Sequence, residues 1–550
     1  MTLRPEPVTP VPEETTRVAR AAFPKGNLYM RIRDELGAIY QDTAFAPLFS
    51  TLGQPAESPW RLALVTLIQF AENLSDRQAA DAVRGRIDWK YALSLELTDP
   101  GFDSTVLCEF RARLLAGNAE QLLLDALLDL CRGRGWLTAR GRQRTDSTHV
   151  LAAIQALNRL QCVHETIRHA LNTLALVAPE WLRTHSQPEW VESYGPKADD
   201  YRLPPGKEQR LARAQAIGQD GHTLLAAVYA TDAPGWLREV PAVETLRRVW
   251  VQQYYLEGEH LHWRTEVQGI PPSRQVISSP YDLEARLGRK GTTQWIGYKV
   301  HLTESCEEDQ PHLITQVTTT PAPLADGTVT PSIHKVLGDK GLLPQRHLVD
   351  TGYLDAALLA RAWREYRVDL FGPTRPDYKW QARAGKGFAA ASFQIDWERQ
   401  QAICPEGRTS LSWTPAMDRL KNEVIKIKFS MRDCGPCPSR AACTRAPRRT
   451  VTVRRQEHHL ALQAARAREG SAGYAAEYAR RAGIEGTISQ GVRALGLRRA
   501  RYWGLAKVHL EHILTATALN LVHIGQWLAG IPRASTRQSS FVKLMAQPAA

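Results

Sequence analysis

The feature that most restricts the fold is an alternation of β-rich and helical runs in the second half of the chain. Runs rich in β-branched and aromatic residues appear in "QWIGYKVHLTE", "HLITQVTTT", "RHLVDTGY" and "VDLFGPT". Helical patterns separate the last three, first "GTVTPSIHKVLGDKG" and then "LDAALLARAWREY". Strands joined by helices pack as an α/β core, because each helix must bury its apolar stripe on a sheet face. A further short strand, with Thr145, Thr148 and Val150, lies far upstream in "RQRTDSTHV". Between it and the later strands, from about Leu151 to Ser273, the sequence is mainly helical and polar. The expected architecture is a mixed-sheet α/β core with a long helical insertion after its first strand.

This pattern divides the chain of 550 residues. Residues 1–25, rich in Pro, Glu and Thr, read as a flexible tail, and residues 26–135 as a helical domain. Residues 136–150 hold the first core strand, 151–275 the helical insertion and 276–380 the remaining core strands and helices. Residues 381–470 form a basic, cysteine-bearing insertion, 471–530 the C-terminal core helices and 531–550 a second tail. "MTLRPEPVTPVPEETTRVAR" lacks the apolar segment of a secretory signal. "HILTATALNLVHIGQWLAGI" holds two His, an Asn and a Gln, so it reads as a buried helix and not a membrane span. These readings place the protein in the cytoplasm, where eight cysteines serve as free thiols or metal ligands and not as a disulfide framework.

The tripeptide Asp-Ser-Thr occurs twice, and its setting separates the two copies. "FDSTVLCEFRARLLAG" runs straight into an apolar-periodic helix, so Asp103 or Ser104 is a helix cap. Asp146 instead sits on the first core strand. Asp350 ends the apolar run in "QRHLVDTGYLDAALL", the position at which open α/β sheets place ligand sites. Taken alone, Asp350 reads equally as a helix cap. In "EYARRAGIEGTISQGVRALG", Tyr478, Arg481 and Glu485 are spaced by three and four residues, which puts them on one helical face. His149 is an odd number of residues from Asp146, so a regular strand turns it to the opposite face as a structural histidine and not a proton shuttle.

Charge narrows the class of partner. The formal net charge is +13, and between Met431 and Leu510 sixteen Lys and Arg stand against five Asp and Glu. An excess made mostly of arginine suits bidentate contacts to phosphate and favours nucleic acid. Two capped amphipathic helices, beginning at Ser58–Pro59 and at Ser75, form either a helix-turn-helix presenting Arg84, Arg86 and Lys90 to DNA or a plain helix bundle.

With these residues in view, the chain resembles a family. Tyr478, Arg481 and Glu485 match the Tyr-Arg-Glu signature of DDE transposases encoded by bacterial insertion sequences. "LSDRQAADAVRGRIDWKYALSLEL", "FDSTVLCEFRARL", "TDSTHV", "GYKVHLTE" and "GLRRARYWGLAKVHL" are similar to segments of insertion-sequence family eleven-eighty-two, in the same order, over roughly residues 27–530. One departure is Val492, where the family pattern often has lysine; Arg493 follows it. The resemblance implies an RNase H-like core in which Asp146, Asp350 and Glu485 converge to hold Mg²⁺ or Mn²⁺, with Tyr478 and Arg481 beside them for phosphate. It also implies double-stranded DNA as partner, both element ends and target, and a homodimer on paired ends. DNA contacts are expected from Arg448, Arg449, Arg454, Arg455, Arg493, Arg498, Arg499 and Arg501, besides Arg84, Arg86 and Lys90. Two other readings remain: a nuclease on the same core without strand transfer, and a transposase-derived DNA-binding protein without catalysis.

Cys434, Cys437 and Cys443 in "RDCGPCPSRAACTR", with Cys404 upstream, supply four thiols that either hold a structural zinc ion or pack without metal. Cys108, Cys131, Cys162 and Cys306 are scattered and read as core residues.

Overall fold

A computed structural model describes residues 1–154, 157–198, 206–384, 388–532 and 540–541. In chain order the strands are β1 (Arg142–Leu151), β2 (Tyr254–Glu257), β3 (His260–Trp263), β4 (Arg286–Lys290), β5 (Thr293–Ser305), β6 (Ile314–Pro321), β7 (Arg346–Leu348) and β8 (Asp369–Phe371). They continue with β9 (Gln394–Asp396), β10 (Gln401–Ile403), β11 (Ser412–Met417), β12 (Glu423–Lys428) and β13 (Thr450–Arg454).

β1 lies at the centre of a six-stranded mixed sheet. Its long antiparallel partner is β5, with Asp146 opposite Leu302 and Arg144 opposite Glu304. On its far edge β5 pairs first with β4 and then with β6, both antiparallel. The other side of β1 is parallel: β7 joins it at residues 142–144 only, and β8 follows β7. The parallel strands are reached through helices Thr330–Asp339 and Ala356–Tyr366, as parallel pairing demands. This mixed α/β sheet is compatible with an RNase H-like core.

Helix Leu505–Leu528 seals the sheet's open edge. An edge strand exposes unpaired backbone groups, and fully buried Asn520 meets those of Ile314 on β6: its Oδ1 accepts the Ile314 N–H at 2.7 Å and its Nδ2 donates to the Ile314 carbonyl at 2.8 Å. His512 meets Thr319 on the same strand at 2.7 Å. The polar residues in this apolar stretch therefore dock a helix on a strand. Among the described residues no helix is long and apolar enough to cross a membrane. Ile513, Leu514, Leu519, Leu521 and Ile524 on this helix are fully buried, each contributing about 1.5–3 kcal/mol on the transfer scale.

The same core runs through this helix into the N-terminal helices: Trp60, Leu67, Phe70, Trp89 and Leu107 share one apolar cluster with Val150, Leu302 and Leu514. The helical insertion has its own core, around Val163, Ile167, Leu246 and Trp250. A third small cluster, with Phe393, Ile427 and Phe429, holds the cysteine-bearing segment.

Several expectations need correction. The supposed flexible tail contains helix Glu13–Ala22, with Thr15 and Ala19 fully buried, and Thr2 bridges to Ser50 and Pro55. Its Pro- and Glu-rich composition masked an amphipathic turn pattern. The helical insertion ends in the β2–β3 hairpin, and residues 381–470 contain the β9–β10 pair and the β11–β12–β13 sheet. The expected C-terminal tail, 531–550, lies outside the described residues except for 531–532 and 540–541.

Candidate active site

The strand pairing itself opens a crevice. β7 pairs with β1 only as far as residue 144, and the chain then departs through Val349 and Asp350. Further along, the same edge of β1 is taken by residues 498–500, since the Leu151 N–H donates to the Arg498 carbonyl at 2.8 Å and Ala500 N–H to the Leu151 carbonyl at 2.9 Å. Asp146 lies on the unpaired stretch between these two neighbours. Parallel strand ends that part in this way are where α/β sheets hold ligands.

Residues alternate faces along a strand, so Arg144, Asp146 and Thr148 share one face of β1. Arg144 and Glu304 are nearly fully buried and pair at 3.1 Å. Arg144 also donates to the Arg480 carbonyl at 2.6 Å, and Thr487 donates to Glu304 at 2.8 Å. Two links from the sheet thus fix the start of helix Ala482–Ala494 above Asp146. A stack of rings, Phe371 on Tyr474 at 4.9 Å and Tyr474 on Tyr478 at 5.8 Å, holds the preceding short helix, Tyr474–Ala479.

The Tyr478–Arg481–Glu485 face is broken by the junction of these two helices, with Arg481 at the N-cap of the second. The side chains still meet. Arg481 donates to the Tyr478 hydroxyl at 3.2 Å, to Asp146 Oδ2 at 3.0 Å and to Glu485 Oε1 at 2.9 Å. Arg481 is therefore a bridge between two of the expected acids, a role that helical spacing could not reveal. Asp350 accepts the Gly352 N–H at 2.7 Å, capping the turn Thr351–Tyr353, while helix Ala356–Tyr366 is capped by Asp355. Burial pushes the Asp146 carboxyl above its ordinary range; Arg481 and the Ser147 N–H pull it back, and Asp350 pushes it up again. Burial likewise raises the Tyr478 hydroxyl, against the pull of Arg481.

A divalent cation would need carboxylate oxygens, and Asp146 and Asp350 provide them within each other's field. Glu485 is joined to Asp146 through Arg481. Among the described residues, no three of His, Cys, Asp and Glu are arranged to hold a metal ion. The donor chemistry fits a hard cation; the third acid, as placed, serves the arginine.

The cysteines meet the same limit. Cys404, Cys434, Cys437 and Cys443 line one cavity of about 30 Å³ with Phe388, Phe393 and Phe429. The Cys404 and Cys434 sulfurs accept backbone N–H groups of Arg408 and Arg449 at 3.3 and 3.5 Å, and burial raises the Cys443 thiol. Glu406, Arg408, Asp433 and Arg449 line the same cavity, and among the described residues zinc finds no support. Of the scattered cysteines Cys131, Cys162 and Cys306 are buried, but Cys108 is exposed.

The expected DNA-binding residues divide sharply. Lys90 is buried, donating to the carbonyls of Glu96 and Asp99, and Arg449 is buried against Cys443 and Phe388 carbonyls. Both are corrected to structural roles. Arg86 is held by Glu72 and Asp88, Arg84 by Asp81, Arg501 by Asn73 and the Leu74 carbonyl. Arg454 and Arg455 pair with Asp418, Glu423 and Glu457, and Arg448 is half-buried. Arg493, Arg498 and Arg499 are exposed; Arg498 donates to Thr148 at 2.8 Å, two residues from Asp146 on the same face. Val492 packs against the main core. His149 lies against Trp295 at 5.4 Å, and burial lowers its pKa.

From the sequence Glu477 reads as an ordinary helix glutamate, fit to be a control for Glu485, but it pairs with Arg142, Arg346 and Arg480 at 3.2 Å each. Nothing in its spacing distinguishes it from an ordinary surface glutamate. Glu511, also in a C-terminal helix, is buried elsewhere and accepts the Arg501 N–H at 2.9 Å.

Residues 403–524 match a family model described as transposase DDE domain, and residues 17–113 match one described as transposase domain DUF772. Both matches support a DDE transposase. The first includes Tyr478, Arg481 and Glu485; neither includes Asp146 or Asp350. No curated protein and no solved structure matches the chain.

Proposed function

We propose that the chain is a DNA transposase that binds the ends of its own element, hydrolyses phosphodiester bonds there and joins the freed 3′-hydroxyls to target DNA. The observation that carries this reading is the meeting of segments far apart in sequence: Arg481 links Asp146 at 3.0 Å to Glu485 at 2.9 Å, with Asp350 close enough to raise the Asp146 carboxyl. A binding protein has no use for an acid such as Asp146, buried with a second carboxylate acting on it, because burying a charge costs free energy.

In this reading Asp146 and Asp350 hold Mg²⁺ or Mn²⁺, and Glu485 is the third acid. Such ions, when bound, acidify the attacking water and stabilise the leaving oxygen of an in-line phosphoryl displacement. Arg481, a planar donor among the acids, is the group for the scissile phosphate. Tyr478 orients it from the side of β8. Exposed Arg493, Arg498 and Arg499 contact flanking phosphates, and two copies act on paired ends. The test is to incubate the full chain with labelled duplex carrying the element's ends and a target plasmid, with and without Mg²⁺. Metal-dependent cleavage with joined product is expected. Cleavage without joining would favour the nuclease, and binding without cleavage the inactive DNA-binding protein.

A further inference from the structure

Lys299 lies in the strand run "GYKVHLTE", and nothing in the chemistry above uses it. It stands on β5 opposite His149 on one side and Thr320 on the other. Its Nζ donates to the Leu324 carbonyl and pairs with Asp326 Oδ1 at 2.6 Å, both side chains largely buried. Asp326 opens the short turn Asp326–Thr328, which nests against the Thr351–Tyr353 turn that Asp350 caps.

The nesting is close. A Cβ on Gly327 would meet the Gly352 carbonyl at 3.0 Å, and one on Gly352 would meet Asp350 Oδ1 at 2.9 Å and Asp326 Oδ2 at 3.3 Å. The carboxylates of Asp326 and Asp350 therefore flank one glycine. One Asp326 oxygen is bound to Lys299, and the other faces the backbone whose N–H holds Asp350. Two carboxylates this near repel each other unless a cation offsets one of them. Lys299 is that cation. It anchors the Asp326 turn to the sheet, and that turn is the surface on which the Asp350 turn rests.

We propose that Lys299 and Asp326 are a positioning pair for Asp350, setting the direction of its carboxylate for the divalent cation. The inference rests on the metal-dependent reading above. Groups that orient a metal ligand from behind typically change metal affinity by about tenfold to a hundredfold when altered. The pair has a test that does not depend on catalysis.

Mn²⁺ binding to the full chain without DNA is measured by electron paramagnetic resonance for the unmodified protein and for Asp326→Asn, Asp326→Glu, Lys299→Met and Lys299→Arg. Duplex affinity without metal and Tm are measured alongside. We expect Asp326→Asn and Lys299→Met to weaken Mn²⁺ binding by about tenfold or more, with duplex affinity kept. Asp326→Glu and Lys299→Arg, which retain the ion pair, should recover most of the loss even if their Tm falls. Unchanged Mn²⁺ affinity in Asp326→Asn and Lys299→Met would overturn the proposal. So would losses in Asp326→Glu and Lys299→Arg as large as those in Asp326→Asn and Lys299→Met, since ordinary packing damage would then be the cause. If the unmodified chain binds no Mn²⁺, the metal-dependent reading itself fails.

Discussion

Arg481→Ala removes the cation that joins Asp146 to Glu485, and the structure sets both the size and the pH dependence of the loss. Asp146 and Arg481 are each 13% exposed in their 3.0 Å pair. Removing one partner of a fully buried pair costs about 3–5 kcal/mol. Residual exposure and the readiness of Asp146 to take a proton bring this to about 2–3 kcal/mol, the 60%-exposed Glu485 adding under about 1 kcal/mol. Asp146 already stands above its ordinary value of 3.8, and without Arg481 it rises further. A carboxyl raised in the folded state binds more protons folded than unfolded, so its cost to stability grows as pH rises through that interval. Urea unfolding of the variant and the unmodified chain at about pH 7.5 and at about pH 4, close to the ordinary carboxylate value, should show the larger deficit at the higher pH. An equal deficit at both values, or none, would refute the bridge between Arg481 and Asp146.

Glu304→Gln leaves the buried Arg144 without its charge partner and should lower stability by about 3–5 kcal/mol, read as a large fall in Tm. Glu511, pushed up to about 7 by burial from an ordinary 4.5, is folded in its protonated form at low pH and costs stability as pH rises from 4.5 to 7. Glu511→Gln should therefore compare best with the unmodified chain at pH 8 and lose that advantage at pH 5, as measured by Tm across a pH series. Thiol titration should label exposed Cys108 first, while Cys131, Cys162 and Cys306, buried and pushed up to about 12, react only on unfolding.

The core strands were legible because β5, β6, β7 and β8 are apolar or β-branched runs bounded by turns, and the helices between them carry clear periodicity. The strands of residues 381–470 were not. β11 is mostly exposed and interrupted by Pro415, so its pattern resembles a loop, whereas the alternation in β12, Val424 and Ile427 buried beside exposed Glu423 and Lys426, was a strand signal that went unused. Spacing placed Tyr478, Arg481 and Glu485 together, and the side chains do meet, yet it could not say that Arg481 would face acids. A sequence gives the face of a helix and not what lies opposite it. The basic charge was equally visible, but its meaning was not: Lys90 and Arg449 spend their charge on buried carbonyls, which only tertiary contacts disclose. Asp326 left a faint signal, a lone Lys299 in an apolar strand, which needs a buried acid nearby.

The most direct test asks whether Glu485 belongs to one metal-dependent centre with Asp146 and Asp350. Glu485→Gln keeps the side chain's size and removes its charge, and exposed Glu266→Gln is the control; Glu477 is unsuitable, being the hub of three arginines. Cleavage of end-bearing duplex in Mg²⁺ is the measurement, with duplex binding followed in parallel. Glu485→Gln is expected to abolish cleavage and keep binding, with Glu266→Gln unchanged. Cleavage by Glu485→Gln at the unmodified rate would contradict its place in that centre.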